Sequence, residues 1–313
     1  RPEETDRPMI APLNPLRGIG CKILSVMVFV LMAICIKASA PRVPPGQAVF
    51  FRSFFAIPVI LVWLGLSGRL PGGLATRNPL GHVWRGLVGT CAMALGFTAL
   101  GLLPLPEATA LGYAAPLLTV IFAAMFLGEE VRVFRLAAVG VGLAGVMIVL
   151  APRITVGPGA GGQLETIGAF AALMAAVCAA MAQVFVRKLV HSEQTAAIVF
   201  YFSVTGAALA LVFTLPFGWV MPAPREAALL VGAGLLGGVG QILLTESYRH
   251  AEASVIAPFE YVSMLFALLL GYFVFEEVPT LPMLAGATLI VLAGLFIIWR
   301  ERRLGIERAR ARK

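Results

Sequence analysis

Charge is scarce in this chain. Only 13% of its 313 residues are Asp, Glu, Lys or Arg, against 59% hydrophobic residues, and the mean hydropathy is +0.92. A soluble domain carries about twice that share of charge, so a water-soluble globular fold is excluded. Cysteine and histidine are sparse too. Cys21, Cys35, Cys91 and Cys178 all fall inside long apolar runs, where they read as small packing residues without a disulfide. His82, His191 and His250 are scattered at the ends of such runs, and no Cys/His spacing suits a metal. The glycines between Gly232 and Gly240 follow no strand and precede no Lys-Ser/Thr pair, so they are no phosphate loop. No cofactor and no metal is expected, and an ATP-driven pump would need a partner subunit to supply the energy.

The dominant feature is apolar length. Ten runs, at about 18–40, 46–67, 80–102, 106–128, 133–151, 164–187, 194–216, 225–248, 253–275 and 280–299, each match a hydrocarbon core of ~30 Å. Backbone groups in lipid must be bonded within the segment, so these continuous runs are helices and not barrel strands. The first sixteen residues are polar and proline-rich, and no signal peptide is expected from them. The expected fold is an all-α integral membrane protein.

A net charge of +8 would suggest nucleic acid in a soluble protein; here its distribution speaks for topology. With a cytoplasmic N-terminus, the inner side receives all of the 24 basic residues except Lys37, Arg42, Arg52, Arg153 and Arg225. Lys22 is among those counted at the inner rim. The positive-inside rule therefore places both termini in the cytoplasm, and an even number of spans agrees. Trp63, Trp84, Trp219 and Trp299 sit near run ends, where indole rings anchor at headgroup level.

A hydrophobic block flanked by glutamates occurs twice. Glu107-Ala108-Thr109 answers Glu252-Ala253-Ser254, and Glu129-Glu130-Val131 answers Glu276-Glu277-Val278, about 145 residues on. More weakly, Ala48-Val49-Phe50-Phe51-Arg52 lies against Ala197-Ile198-Val199-Phe200-Tyr201. Five spans per half is odd, so the second copy enters the membrane upside down. The chain divides accordingly into a cytoplasmic tail (1–17), a first five-helix repeat (18–152), a flexible linker (153–163), a second repeat (164–300) and a basic cytoplasmic tail (301–313). Inverted repeats are the architecture of carriers that work by alternating access, with the substrate site at the repeat interface near the midplane.

These features carry a resemblance. The duplicated block ending in Gly128-Glu129-Glu130 and Phe275-Glu276-Glu277-Val278-Pro279, followed by Gly286 and Ala293-Gly294, resembles the drug/metabolite transporter superfamily. The likeness is to its EamA-type ten-span bacterial carriers and runs from Leu16 to Glu301. The stretch from Tyr248-Arg249-His250-Ala251 through Pro258-Phe259-Glu260-Tyr261 to Gly271-Tyr272 looks like a subgroup of amino-acid exporters and S-adenosylmethionine carriers. The first half departs from it, with Gly112-Tyr113-Ala114-Ala115-Pro116 at the corresponding place. The resemblance implies a multi-pass protein of the bacterial inner membrane.

Ionisable groups inside a span are costly and need a reason. Glu260 lies on the order of 10 Å into the ninth run at 1.5 Å per residue. It reads either as a ligand for a substrate amine or a proton-coupling carboxylate, or as half of a structural ion pair. Glu246 is a second coupling candidate, or the i,i+3 partner of Arg249. Gln183 and Gln241 sit deeper; an amide suits a zwitterion, and equally suits bonding between helices. Tyr113, Tyr201, Tyr261 and Phe97 could wall a cavity for an apolar substrate, with Tyr248 and Phe259 beside them, or simply pack. Arg52 reads as a ligand for a substrate carboxylate or as a side chain snorkelling to the surface, and Lys37 as a snorkelling side chain. Gly234 and Gly238 have the spacing of close helix packing.

The leading expectation is a secondary transporter that exports amino acids, neutral or aromatic ones favoured, with S-adenosylmethionine uptake or exchange as the alternative and multidrug efflux third. An intramembrane enzyme would need a nucleophile, base or metal set at depth, and none is visible. A channel would need a filter or ring of charges. The partners expected are a small-molecule substrate and membrane lipid, without nucleic acid; monomer and homodimer both remain open.

Overall fold

The computed structural model describes residues 14–68, 72–127, 133–155, 160–190, 192–251 and 253–311. Within these every regular element is helical: α1 (Pro15–Ser39), α2 (Pro45–Phe54), α3 (Ala56–Leu66), α4 (Pro79–Leu102), α5 (Leu105–Gly112), α6 (Ala114–Leu127), α7 (Val133–Thr155), α8 (Ala160–Val190), α9 (Thr195–Thr214), α10 (Pro224–His250), α11 (Ala253–Ile256), α12 (Val262–Phe275) and α13 (Leu281–Ala311). Nine stretches among the described residues are long and apolar enough to cross a membrane, and the shorter helix Leu136–Pro152 makes a tenth. Starts are written locally. Asn14 accepts from Arg17 N at 3.2 Å and Asn78 from Gly81 N at 2.9 Å, each capping a helix whose first residue is proline.

Three of the expected continuous spans are broken. α2 gives way to α3 at Phe55, α5 to α6 at Tyr113, and α11 to α12 through a 3₁₀ turn at Ala257–Tyr261. Each break lies beside a proline, namely Pro58, Pro116 and Pro258. A proline cannot donate to the carbonyl four residues back, and its ring crowds that carbonyl. Phe54 and Gly112, the residues four before Pro58 and Pro116, are accordingly the last of α2 and α5. Spans four and nine are repeat counterparts, so both halves carry a discontinuous helix at one place, where Gly112-Tyr113-Ala114-Ala115-Pro116 stands against Pro258-Phe259-Glu260-Tyr261. The expected linker 153–163 is shorter than its range: α7 continues through Thr155 and α8 starts at Ala160. Residues 156–159 lie outside the described set, as do Gly128, Glu129, Glu130, Val131, His191, Glu252 and the first thirteen residues.

The packing obeys the duplication. The closest helix pairs are α1 with α10, α4 with α8, α7 with α13, and α2 with α9. In spans these are one with eight, three with six, five with ten, and two with seven. Exchanging the halves (span n for span n+5) turns the first pair into the second and leaves the other two unchanged. The bundle therefore has a pseudo-two-fold axis, as an inverted repeat requires. Lipid offers no hydrophobic drive between helices, so contact rests on small residues. A Cβ on Gly145 would fall 2.8 Å from the Gly286 carbonyl, and one on Gly286 2.5 Å from the Gly145 carbonyl, across the α7–α13 contact. Gly234 and Gly238 do the same for α10, which lies directly on Phe51 and Phe55 and on Ala56 and Val59. Leu281, Phe273 and Val62 turn outward toward the lipid position.

Candidate functional site

A cavity of about 440 Å³ lies at the repeat interface. Its walls come from α1, α4, α5, α8, α10 and the Glu260–Ser263 turn, which are spans one, three, four, six, eight and nine. That set maps onto itself when the halves are exchanged, so the cavity sits on the pseudo-axis. Alanines 172, 175, 176 and 179 of α8 line one part of it, and Phe29, Met93 and Phe97 are among the larger apolar side chains of the lining. The volume falls in the range of small-molecule sites, about 300–1,000 Å³.

One ion pair faces this apolar space. Lys22 Nζ stands 3.3 Å from Glu260 Oε2. The lysine is 2% exposed and the carboxylate 31%, so Glu260 is the member open to the cavity. Sequence reasoning counted Lys22 with the basic residues of the inner rim; the fold turns it inward instead. A signal was available: Lys22 lies seven residues from the start of α1 and Glu260 seven from the start of α11, so opposite charges share one depth of about 10 Å.

The 3₁₀ turn positions Glu260, and a polar chain holds that turn to the other half. Tyr113, at the break of span four, donates to Ser263 Oγ at 2.5 Å, with Tyr261 O 3.4 Å from the same hydroxyl. Ser263 Oγ in turn donates to the Glu260 carbonyl at 2.7 Å. The Tyr113 and Tyr261 rings meet edge to face at 5.1 Å. The break-point tyrosines of the two repeats thus touch at the axis, immediately behind the cavity wall.

Of the expected site residues, Glu260 and Phe97 line the cavity. Tyr113 and Tyr261 are buried behind it. Gln241 is buried in α10 and Gln183 half-buried in α8, both away from the lining. Tyr201 lies at the end of the bundle, donating to Leu74 O at 3.1 Å, its ring tilted against that of His82 at 4.9 Å. Glu246 pairs with His250 at 3.5 Å rather than with Arg249, whose Nη2 donates to Glu193 O at 2.9 Å.

Lys37 and Arg52 do not snorkel. Lys37 donates to Leu103 O at 2.5 Å and Leu100 O at 3.3 Å, and pairs with Glu277 at 2.9 Å. Glu277 Oε2 also accepts from Leu105 N at 2.7 Å. The unpaired carbonyls at the end of α4 draw the ammonium inward. Arg52 is 2% exposed, with its guanidinium over Phe202. At the face from which α1 starts, the Glu193 carboxylate clamps the loop before α4: its Oε1 accepts from Arg77 N and Asn78 N, both at 2.8 Å, and from Thr76 Oγ1 at 3.1 Å. Burial raises the Glu193 carboxyl, but these hydrogen bonds and His82 outweigh it and leave it below the usual carboxylate range.

The EamA-like transporter family profile matches residues 16–151 and again 166–299. The chain is 28% identical to an S-adenosylmethionine uptake transporter of Rickettsia felis, over 92% of this chain and 94% of the relative. It is 31% identical to the pseudopaline exporter CntI of Pseudomonas aeruginosa, over 88% and 94%. A solved crystal structure superposes with a TM-score of 0.64 at 23% identity, covering 92% of this chain and 98% of that one, which is a likeness of fold. A duplicated five-span unit, a self-symmetric cavity and two successive profile matches agree: this chain belongs to the EamA-like transporter family, within the drug/metabolite transporter superfamily.

Proposed function

We propose that the protein is a secondary carrier for a small metabolite with an amino-acid head, working by alternating access in the bacterial inner membrane with both termini cytoplasmic. The observation that carries this reading is the Lys22–Glu260 pair in an otherwise largely apolar cavity on the repeat axis. An α-carboxylate would take Lys22 and an α-ammonium Glu260, so that the 3.3 Å contact opens and one ion pair is exchanged for two. Phe29 and Phe97 supply flat apolar surface for the remainder of the cargo.

S-adenosylmethionine is the favoured cargo. Its sulfonium is a second cation for Glu260, its adenine can stack on a phenylalanine, and the name of the Rickettsia relative points the same way. Export of neutral or aromatic amino acids is the second reading, favoured by the same zwitterion-matched pair. The names of the relatives include both uptake and export. In a secondary carrier the gradients set the direction. Gln183, Gln241 and Tyr201 contact the cargo only in another conformation of the bundle, and Glu246 is a coupling group only if that conformation frees it from His250.

Proteoliposomes containing the purified protein, given labelled amino acids and S-adenosylmethionine with and without a pH gradient, test the proposal. Saturable S-adenosylmethionine counterflow supports the first reading. Flux of amino acids alone moves the cargo to the second. Silence from every zwitterion in the panel, with a folded protein, refutes the amino-acid head.

A further inference from the structure

Two arginines are buried at mid-depth, and among the described residues neither has an acid paired with it. Arg52 of α2 and Arg85 of α4 are 2% and 6% exposed. Their helices enter from opposite faces, and the guanidiniums meet at one ring, 5.3 Å and 3.9 Å from the centroid of Phe202 in α9. That shared ring limits their separation to about 9 Å. Among the described residues, no carboxylate forms an ion pair with either. Glu193, the acid at that end of α4, is taken up by Thr76, Arg77, Asn78 and His82. Nε and Nη1 of both arginines are buried without a hydrogen-bond partner.

Three hydroxyls stand next in sequence to these groups, Ser53 to Arg52, Thr90 to Gly89 and Ser203 to Phe202. Ser53, Thr90 and Ser203 are buried, and none of their hydroxyl oxygens has a hydrogen-bond partner among the described residues. This is unusual within the bundle, where Thr98, Thr109, Thr119 and Thr245 each donate to the carbonyl four residues back. Gly206 brings two of them together: a Cβ there would fall 2.7 Å from Ser53 Oγ and 3.4 Å from Thr90 Oγ1. Gly89 likewise leaves room for the Arg85 guanidinium beside Phe202. None of these residues lines the carrier cavity.

A cluster of N–H and O–H donors with two positive charges and no acid is built for an anion. The close packing around Gly206 limits its size, and the apolar surroundings raise the cost of leaving the charges uncompensated. We propose that Arg52 and Arg85, with Ser53, Thr90 and Ser203, form a binding site for a small inorganic anion of the chloride class, separate from the cargo cavity. The bound anion ties α2, α4 and α9 together, so it fixes the contact of spans two and seven with span three.

Equilibrium binding of ³⁶Cl⁻ to the purified full-length protein in gluconate buffer is the test. Saturable binding displaced by bromide, and not by excess S-adenosylmethionine or methionine, is expected. At constant ionic strength, replacing gluconate by chloride should raise the wild-type melting temperature by several degrees, by mass action on the folded state. Arg85→Met should abolish that shift while melting no lower than wild type in gluconate, since it removes an uncompensated charge. Absence of saturable ³⁶Cl⁻ binding overturns the site, because waters then fill it. Displacement by S-adenosylmethionine or methionine also overturns it, because the arginines would then hold the cargo carboxylate. An undiminished chloride shift in a folded Arg85→Met protein does the same.

Discussion

Removing either member of the Lys22–Glu260 pair should cost stability, and by unequal amounts. In Glu260→Gln the ammonium of Lys22 stays 2% exposed without a counter-charge. Breaking a buried pair from one side costs about 3–5 kcal/mol. The amide oxygen still accepts from Nζ, so the lower end, about 3 kcal/mol, applies here. In Lys22→Met the carboxylate left behind is 31% exposed to the cavity and can hydrate, so the cost is nearer about 1 kcal/mol. The double variant removes both charges, and its cost should fall below that of Glu260→Gln alone. Thermal unfolding of the purified variants in one detergent reads this out. At about 2–4 °C per kcal/mol, Glu260→Gln should melt about 6–12 °C lower and Lys22→Met only about 2–4 °C lower. Equal shifts for the two single variants, or a double variant as unstable as their sum, would refute the placement of Lys22 as the buried partner. Counterflow measured on the same samples separates function from folding: S-adenosylmethionine flux should be lost in all three.

Three further outcomes are expected. Lys37→Met leaves the Leu100 and Leu103 carbonyls and Glu277 without their common partner, and should lower the melting temperature by an amount corresponding to about 2–3 kcal/mol. Leucine at position 37 should be no better, while arginine should recover part of the loss. Glu276 ends α12 in the left-handed region at φ 56, so Glu276→Gly should stabilise by about 1 kcal/mol in denaturant titration; a loss of stability would mean that its side chain holds the turn. The Glu193 carboxyl is held below its usual range, so its contribution is present above the unfolded value of about 4.3 and is lost as pH falls through the folded one. Melting temperatures scanned from neutral to acid pH should therefore fall more steeply for wild type than for Glu193→Gln below about pH 4.3; parallel curves would show that the clamp does not depend on charge.

The sequence by itself determined the spans, their number and the duplication, because each rests on local chemistry. A helix must bond its own backbone in lipid, so apolar length fixes a span without reference to any neighbour. Asn14, Asn78 and the prolines that follow them start helices by their own geometry. An odd number of spans per half then forces the inversion. The breaks at Tyr113 and at Ala257–Tyr261 were written in Pro116 and Pro258, although an uninterrupted apolar run concealed them. Which face of each helix turns inward was decided only in the tertiary structure. Lys37 lies at a span end and Lys22 and Arg52 about 10 Å in at 1.5 Å per residue, within reach of water for a long side chain; the fold instead turns each one inward, toward Glu277 and the end of α4, toward Glu260, and toward Phe202. Gln183 and Gln241 are as deep as Glu260 yet point away from the cavity. Depth follows from counting residues along one helix, but rotation about the helix axis is set by packing against the other half of the chain, more than a hundred residues away.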